Sequence, residues 1–181
     1  FKLSQKRKNM ITGEHYYDGK HDILNRRRTV IGEGGNLIEV ENLPNNRIVD
    51  NQYTKMVDQK NNYLLGQPFS IQCENEIYSK ALNQVFNKKF RRLLKGVGED
   101  SLNCGIGWMF IHYDEEGKLC FKKFKPFEII PGWKDAEHTV LDYAIRVYEV
   151  IVYEGRQEKV VQKVEVYDDK GINYFELSDG G

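Results

Sequence analysis

The chain has 181 residues, of which 30% are charged and 40% are apolar, and its formal net charge at pH 7 is zero. This length predicts one domain, or one domain with a small appendage, and the charged composition argues against a membrane protein. No apolar run approaches the roughly 18 residues of a membrane-spanning helix, and the opening FKLSQKRKNM lacks the apolar stretch of a signal peptide. Because the chain begins at Phe1 rather than at methionine, we expect it to be a piece of a longer protein.

The first predicted element is a polar helix over about residues 1–20, which ends where Asp18 and Gly19 interrupt the pattern. Residues 25–43 follow, with an RRR triplet, a GEGG segment and no sustained periodicity, and we interpret them as a mobile loop. The glycines of GEGG would suit a phosphate loop, but no Lys-Ser/Thr follows and no strand and helix flank the segment. A flexible loop is therefore favoured over a phosphate site.

A second helix is predicted to begin at Asn45, after Pro44, because an asparagine side chain can cap the free N–H groups of a first helical turn. The segment YLLGQP at 63–68 ends it: Gly66 is expected to adopt the left-handed C-cap conformation, and Pro68 prevents continuation. Helical spacing predicts that one face packs on the core and the other faces solvent. The predicted core residues are Val49, Tyr53, Met56, Val57 and Leu64, with Tyr63 and Leu65 at the corner, and the predicted solvent-facing residues are Asp50, Asn51, Asp58 and Asn62.

A short strand is predicted over residues 69–73, followed by a helical region that Asn75 caps. Apolar residues recur at helical spacing as far as about Cys104, so the region has an apolar side and a basic side. Gly96 and Gly98 are expected to weaken its middle or its end. The apolar residues of this region are Ile77, Ala81, Leu82, Val85, Phe86, Phe90, Leu93, Leu94 and Val97.

From about residue 106 the pattern changes to strands. The DEEG and EGRQ segments have the length and composition of hairpin loops, and DDKG at 168–171 predicts a further turn. Helices followed by an antiparallel meander predict an α+β fold. The predicted strands are 106–113, 118–124, 127–131, 143–153, 159–167 and 172–177.

The expected domain organisation is a single α+β domain over residues 1–181. Its predicted parts are a helix and loop over 1–43, a helical part over 44–104 and antiparallel strands over 105–181.

The zero net charge hides an uneven distribution. Residues 1–28 carry eight Lys or Arg and three acidic residues, and residues 77–98 carry six Lys or Arg and no acidic residue. Residues 137–181 reverse the balance, with ten acidic and five basic residues. Such a dipolar chain suits a component of an assembly whose faces meet different partners.

The run KKFRRLLK at 88–95 is the main electrostatic feature. Lysine and arginine can neutralise phosphates without reading bases, while Phe90 and Leu93 face a core. A solvated helix face explains the same run, and both interpretations apply to the RRR triplet. The candidate contacts with DNA or with neighbouring subunits are Lys88, Lys89, Arg91, Arg92 and Lys95, together with Arg26, Arg27 and Arg28.

No residue pattern predicts an enzyme, a metal site or a cofactor. Cys104, His112 and Asn103 could be imagined as nucleophile, base and orienting group, but their spacing favours a buried thiol and a strand histidine. The odd number of cysteines, without a CxxC pair, predicts buried, reduced thiols in an intracellular protein. The cysteines are Cys73, Cys104 and Cys120, and the polar residues that could be drawn as a metal cluster, but fit a solvated helix end better, are His15, Asp18, His21 and Asp22.

Five segments, in this order and spacing, resemble the portal proteins of tailed bacteriophages, in the branch found in phages and prophages of Gram-positive bacteria. The segment 45–68 is the most specific, and its motif residues are Asn45, Val49, Tyr53, Val57, Tyr63, Gly66 and Pro68. The segments are YYDGKHDI at 16–23, NNRIVDNQYTKMVDQKNNYLLGQP at 45–68, NCGIGWMFIHYDEEGKLCF at 103–121, FEIIPGWKD at 127–135 and AIRVYEV at 144–150.

The resemblance implies a non-enzymatic subunit of a homo-oligomeric ring, typically a dodecamer, at the portal vertex of the virion capsid. Such rings assemble in the bacterial host cytoplasm with capsid and scaffold proteins, and they conduct double-stranded DNA during packaging and ejection. They dock the terminase and later the head-tail connector proteins. Family subunits have a wing, a stem, a clip and a crown, and the matched segments belong to the N-terminal wing, so the elements that face DNA lie largely outside this chain.

Two other functions stay open. One is a free-standing basic module that binds nucleic acid through the segments named above. The other, more remote, is a cysteine hydrolase built on Cys104 and His112.

Overall fold

Helices make up the first part of the chain and antiparallel strands the second, in a computed structural model that describes residues 3–40 and 42–176. This confirms the predicted α+β class. Within these residues the four α-helices are Gln5–Tyr17 (α1), Gln52–Leu65 (α2), Glu76–Val85 (α3) and Lys88–Cys104 (α4). The strands are Thr29–Ile31 (β1), Leu37–Glu39 (β2), Trp108–Tyr113 (β3), Leu119–Phe124 (β4), Ile129–Trp133 (β5), Leu141–Glu154 (β6), Gln157–Asp168 (β7) and Gly171–Glu176 (β8), and 3-10 turns lie at Asp22–Asn25 and Pro126–Glu128.

Polar side chains cap the helices. Ser4 accepts a hydrogen bond from the backbone N–H of Arg7 at the start of α1. Asn75 accepts from two N–H groups of α3, as predicted. Asn87 does the same for α4, and this cap divides the helical region predicted over 75–104 into two helices. The end of α1 at Tyr17, before Asp18, also agrees with the prediction.

The predicted start of α2 at Asn45 is wrong. The helix begins at Gln52, and its cap is Asn51, whose Oδ1 accepts from the N–H of Thr54. Asn51 also donates from Nδ2 to the carbonyl of Tyr17, at 3.0 Å, so the end of α1 holds the cap in place. Asn45 instead donates to the carbonyl of Arg26, and Val49 lies before the helix.

The predicted buried face of α2 is also wrong in part. Val57 is buried and Tyr53 half-buried, but Met56, Tyr63 and Leu64 are exposed, Tyr63 to 87%. The helix is rotated because polar residues find partners inside: Asn61 is 2% exposed, and Asp58 accepts a hydrogen bond from the Tyr17 hydroxyl. Of the corner residues, Leu65 is half-buried.

The YLLGQP corner ends α2 at Leu65, as predicted, but by another geometry. Gly66 has φ −76°, in the right-handed region, and its N–H donates to the carbonyl of Asn62 at 2.9 Å. Pro68 follows in an irregular segment. The strand predicted over 69–73 does not form, and Phe69 packs its ring against Phe86 and Phe90 instead.

The segment interpreted as a loop, 25–43, contains the two-stranded hairpin of β1 and β2. Ile31 pairs with Leu37, and Val30 pairs with Ile38. The GEGG segment forms its turn, where Gly35 has φ +74°, a backbone conformation that favours glycine.

The later strands follow the predicted hairpins. β3 pairs with β4 across DEEG, and β5, β6, β7 and β8 form an antiparallel meander in that order. Two aromatic clusters hold the parts of the fold together: the first joins the helices to the β3–β4 hairpin, and the second joins that hairpin to the β5–β8 sheet. The first consists of Phe69, Phe86, Phe90 and Phe121, and the second of Phe110, Phe124 and Tyr167, with Arg146 over the Phe124 ring at 4.5 Å.

Candidate interaction surfaces

The basic run at 88–95 forms the exposed side of α4. Lys88, Arg92 and Lys95 follow each other at steps of four and three residues, so they share one face of the helix, and Lys89 lies beside them. All four side chains are exposed, whereas Phe90 between them is buried. We call these four residues the α4 basic surface.

Arg91 lies on the same helix but is engaged within the chain. It is half-buried, its Nη2 donates to the carbonyl of Phe69 at 3.3 Å, and its guanidinium lies 5.4 Å from the centre of the Phe69 ring. Arg91 therefore holds the segment after α2 against α4. Of the five basic residues predicted in this helix, the other four face solvent.

The YLLGQP corner and the α4 basic surface border one cavity of about 500 Å³. Leu64, Pro68 and Leu94 supply apolar walls, and Lys88 and Arg92 lie at the same site. Apolar walls beside cationic side chains suit contact with an acidic surface or with a phosphate backbone.

The RRR triplet lies at the base of the β1–β2 hairpin. Arg27 pairs with Glu39 at 2.9 Å across the hairpin, and Arg28 donates to the carbonyl of Pro44 at 3.0 Å. Arg26 is exposed. Two of the three guanidinium groups thus position the hairpin, while the whole triplet stays at the surface.

A buried polar cluster, which no sequence pattern predicted, joins α2, α4 and β4. Asn61 donates to the carbonyl of Lys95 at 3.0 Å, and Lys123 reaches both the carbonyl of Gly96, at 3.3 Å, and the carboxylate of Asp100, at 2.9 Å. The Lys123–Asp100 contact is ionic rather than a well-aligned hydrogen bond, because Asp100 Oδ2 has no partner in hydrogen-bonding geometry. We call Asn61, Asp100 and Lys123 the polar joint.

Gly98 allows the close approach of α2 and α4 at the polar joint. A Cβ atom there would lie 2.5 Å from Asn61 Oδ1 and 2.6 Å from Leu65 Cδ1. Neither Gly96 nor Gly98 interrupts the helix, because α4 continues through both to Cys104, and their weakening of it stays a prediction. The signal in the sequence was this glycine pair, which indicates packing rather than a break.

A second charged cluster joins the 3-10 turn Pro126–Glu128 to β6 and β7. Arg146 pairs with Glu128 at 2.9 Å and with Glu165 at 3.3 Å, and Tyr148 and Tyr167 donate their hydroxyls to Glu165. Burial raises the pKa of Glu165, but the two tyrosine hydrogen bonds and the Arg146 charge outweigh it and hold the pKa below its ordinary value.

The prediction that the cysteines are buried is wrong for Cys73, which is exposed, while Cys104 and Cys120 are half-buried. Cys104 has the environment of an inert thiol. Burial, followed by the nearby carboxylates of Asp100 and Glu14, raises its pKa to about 11. Cys104 and Asn103 line a cavity of about 740 Å³, whereas His112 lies outside that lining on β3 and stacks on Phe110. The structure thus gives no support to the imagined nucleophile and base.

The His, Asp, Cys and Glu side chains of residues 3–40 and 42–176 form no group of three or more that could hold a metal ion. His21 stacks on the ring of Tyr16 rather than joining Asp18 at a ligand site. In the same residues, no helix is long and apolar enough to cross a membrane.

Comparison with known proteins decides the family. The family model described as phage portal protein, SPP1 Gp6-like, matches residues 2–181. The chain belongs to this portal protein family. The resemblance found in the sequence is thereby confirmed over the whole chain.

Two curated portal proteins match most of this chain. The portal protein of Bacillus phage SPP1 is 29% identical over 171 residues, which cover 94% of this chain and 33% of that protein. The portal protein of Clostridium phage phiCD119 is 27% identical over 184 residues, covering 95% of this chain and 40% of that protein. This member of the portal family therefore spans a third to two fifths of the length of the curated relatives it matches. Both names describe a structural component of a phage rather than an enzyme.

Within this portal segment, the structure separates the predicted contact residues into two groups on different elements. The α4 basic surface lies beside the YLLGQP corner, and the arginine triplet lies at the base of the β1–β2 hairpin. The motif residues of 45–68 divide similarly: Val57 lies in the core, and Tyr63 lies at the surface. Their roles as contacts stay predictions.

Proposed function

We propose that this chain is the wing-like domain of a longer portal subunit, and that copies of the subunit assemble into a closed ring at one vertex of the phage capsid. The observation that carries the proposal is the family match over residues 2–181, combined with the share of the curated portal proteins that the chain covers. A ring closes through heterologous contacts between two different surfaces of each subunit, and the basic and acidic parts of this chain favour such contacts.

In the proposed ring, double-stranded DNA is packaged and ejected through the channel, and terminase and head-tail connector proteins dock on the assembled subunits. The ring is a dodecamer that assembles in the host cytoplasm and becomes part of the virion. The α4 basic surface supports a contact with acidic protein or with DNA phosphates, because its four exposed cations can neutralise charge without reading bases.

Electron microscopy and native mass spectrometry of the full-length protein that contains this chain test the proposal. We expect closed rings of a single copy number, which the measured mass gives directly. A monomer at all concentrations, or open filaments without closure, would contradict the proposed ring.

A free-standing nucleic-acid-binding module is the second candidate, and the α4 basic surface is the observation that favours it. Fluorescence anisotropy of duplex DNA with this 181-residue chain separates the two. A segment that acts as part of a ring should bind the duplex weakly. Submicromolar binding with a steep salt dependence, abolished by Lys88→Gln with Arg92→Gln but kept in Lys170→Gln, would favour the module.

A further inference from the structure

The β1–β2 hairpin, residues 29–39, is an apolar arm whose side chains are left exposed. Ile31 and Leu37 pair across its strands and are 77% and 71% exposed, and Val30 and Ile38 on the other face are also exposed. An isolated two-stranded hairpin is marginally stable in water. Four exposed aliphatic side chains on so short a ribbon indicate that it packs on something else.

A second apolar surface lies on the β5–β8 sheet. Successive side chains of a strand point to opposite faces, and Arg146, Glu165 and Tyr167 point inward, toward Phe124. Their neighbours therefore form the outer face. The register aligns Val147 with Val164 and Phe175 across three strands, and Ile151 with Val160.

The outer face is accessible and carries two apolar groups. Ile151, Val160 and Phe175 are each more than half exposed, and Val147 and Val164 are half-buried. The hydrogen-bonded Glu149–Gln162 pair separates Ile151 and Val160 from the other three residues. Single exposed apolar residues are normal on a protein surface, but five on one sheet face, three of them adjacent across three strands, mark an interaction site. We call this group, Val147, Ile151, Val160, Val164 and Phe175, the outer sheet face.

The arm and the outer sheet face differ in form and in charge. The arm is a narrow ribbon whose base carries Arg26, Arg27 and Arg28, whereas the sheet is broad. On the side of Val160 and Val164, its strands β6, β7 and β8 carry Glu149, Glu158 and Asp168 but no Lys or Arg. Heterologous subunit contacts need two such different, complementary surfaces on each copy. A self-complementary pairing of identical faces would instead give a closed dimer.

We propose that the arm of one copy docks, through Ile31 and Leu37, on the outer sheet face of the next copy. This inference rests on the proposed ring and names the surfaces by which neighbouring subunits meet. The arginine triplet of the arm then meets a sheet side whose charged residues are acidic, and these opposite charges favour the contact.

Cross-linking between two differently tagged copies tests the docking. Both copies of the full-length protein carry Cys73→Ser, which removes the exposed native thiol. One copy carries Leu37→Cys and the other Val160→Cys, and mixed rings are treated with a short bismaleimide. The matched control replaces Leu37→Cys by Ile77→Cys, since Ile77 on α3 is 82% exposed and lies outside both surfaces.

We expect a product that carries both tags from the Leu37→Cys and Val160→Cys pair, and its loss in the control. Rings that form without the doubly tagged product would overturn the docking and leave the ring intact. A product that forms only when one chain carries both cysteines would also overturn it, because the arm would then cover its own sheet. A wild-type protein that forms no rings would contradict the proposed function itself.

A second variant tests the same contact without cross-linking. Ile31→Asp with Leu37→Asp should abolish rings while the subunits keep the thermal midpoint and circular dichroism of the wild type. Ile77→Asp should form rings in normal yield. Normal ring yield in the double variant would overturn the docking.

Discussion

The polar joint and the arm reverse the usual distribution of polar and apolar residues. In the joint, Asn61 and Asp100 are 2% and 4% exposed and take their partners from the same chain. In the arm, Ile31 and Leu37 carry no charge and yet are 77% and 71% exposed. The two regions therefore differ in their expected tasks: the joint holds this domain together, and the proposed docking would cover the arm.

The reason lies in the cost of each arrangement. Burying a polar group costs free energy unless it is hydrogen-bonded or paired, so the joint is stable only while all its members are present. Exposed aliphatic side chains cost little free energy in a folded monomer, and they contribute to stability only when a partner buries them. Substitutions should therefore affect folding in the joint and assembly in the arm.

Asp100→Ala should have the largest effect on folding. It leaves the ammonium of Lys123, whose side chain is only 27% exposed, without its counter-charge. We expect the free energy of unfolding in urea to fall by about 2–4 kcal/mol. The matched control is Asp142→Ala, which removes the exposed pair with Lys134 and should change it by less than about 0.5 kcal/mol. Equal effects of the two substitutions would show that the joint is not a special site.

Gly98→Ala should have the next largest effect. The new methyl group would meet Asn61 and Leu65 at distances far below van der Waals contact, and we expect a net loss of about 1–2 kcal/mol in chemical denaturation. Gly96→Ala on the same helix meets Lys123 only at 3.4 Å or more. This control should be neutral or stabilising by up to about 1 kcal/mol, since alanine favours helix. A stabilising Gly98→Ala would contradict the close packing of α2 on α4.

Glu165→Gln should change the pH dependence of stability. The pKa of Glu165 is lowered from 4.5 in the folded chain, so the unfolded chain binds more protons as the pH falls through and below that value. Stability from this carboxylate is thus complete above about pH 4.5 to 5 and is lost toward lower pH.

Urea denaturation at several pH values checks this. The variant should be less stable than wild type by about 1–2 kcal/mol at pH 7, and the difference should shrink between pH 5 and pH 3. A difference that stays constant over this range would mean that ionisation of Glu165 does not stabilise the fold. Asp135, whose pKa is also lowered, is unchanged in both proteins, so its contribution cancels.

The smallest effect on folding is expected in the arm. Ile31→Asp on the 181-residue chain should change the free energy of unfolding by less than about 0.5 kcal/mol, because the side chain is 77% exposed and contributes little to the core. A loss of more than about 2 kcal/mol in thermal or urea denaturation would show that the arm supports the monomer, and the comparison with the joint would fail.

Local patterns predicted some elements of this fold well. The β3–β4 and β6–β7 hairpins were readable because alternating strands flank polar turns with glycine, and the start of α3 was readable from Asn75. The sequence of the arm also contained a hairpin signal. The segments TVI at 29–31 and LIE at 37–39 lie on either side of the glycine-rich GEGG, and they form its two strands.

The buried face of α2 could not be predicted from such patterns. Apolar periodicity favoured Met56 and Leu64, but the helix turns Asn61 inward, where it donates to the carbonyl of Lys95. This partner lies 34 residues away in the chain, so no local pattern indicates it. The ion pair of Asp100 with Lys123 likewise joins separate elements. Contacts of this kind depend on the tertiary structure, and they decided the helix orientation against hydrophobicity.

Hydrogen–deuterium exchange of the full-length protein, in assembled rings and in dissociated subunits, distinguishes a role in folding from a role in assembly for each region. We expect the amides of the arm, residues 29–39, to exchange quickly in subunits and to become protected in rings. Amides of α4 around the polar joint should be protected equally in both states. Unchanged exchange in the arm on assembly, or protection gained only in α4, would contradict the claim that the joint serves folding and the arm serves assembly.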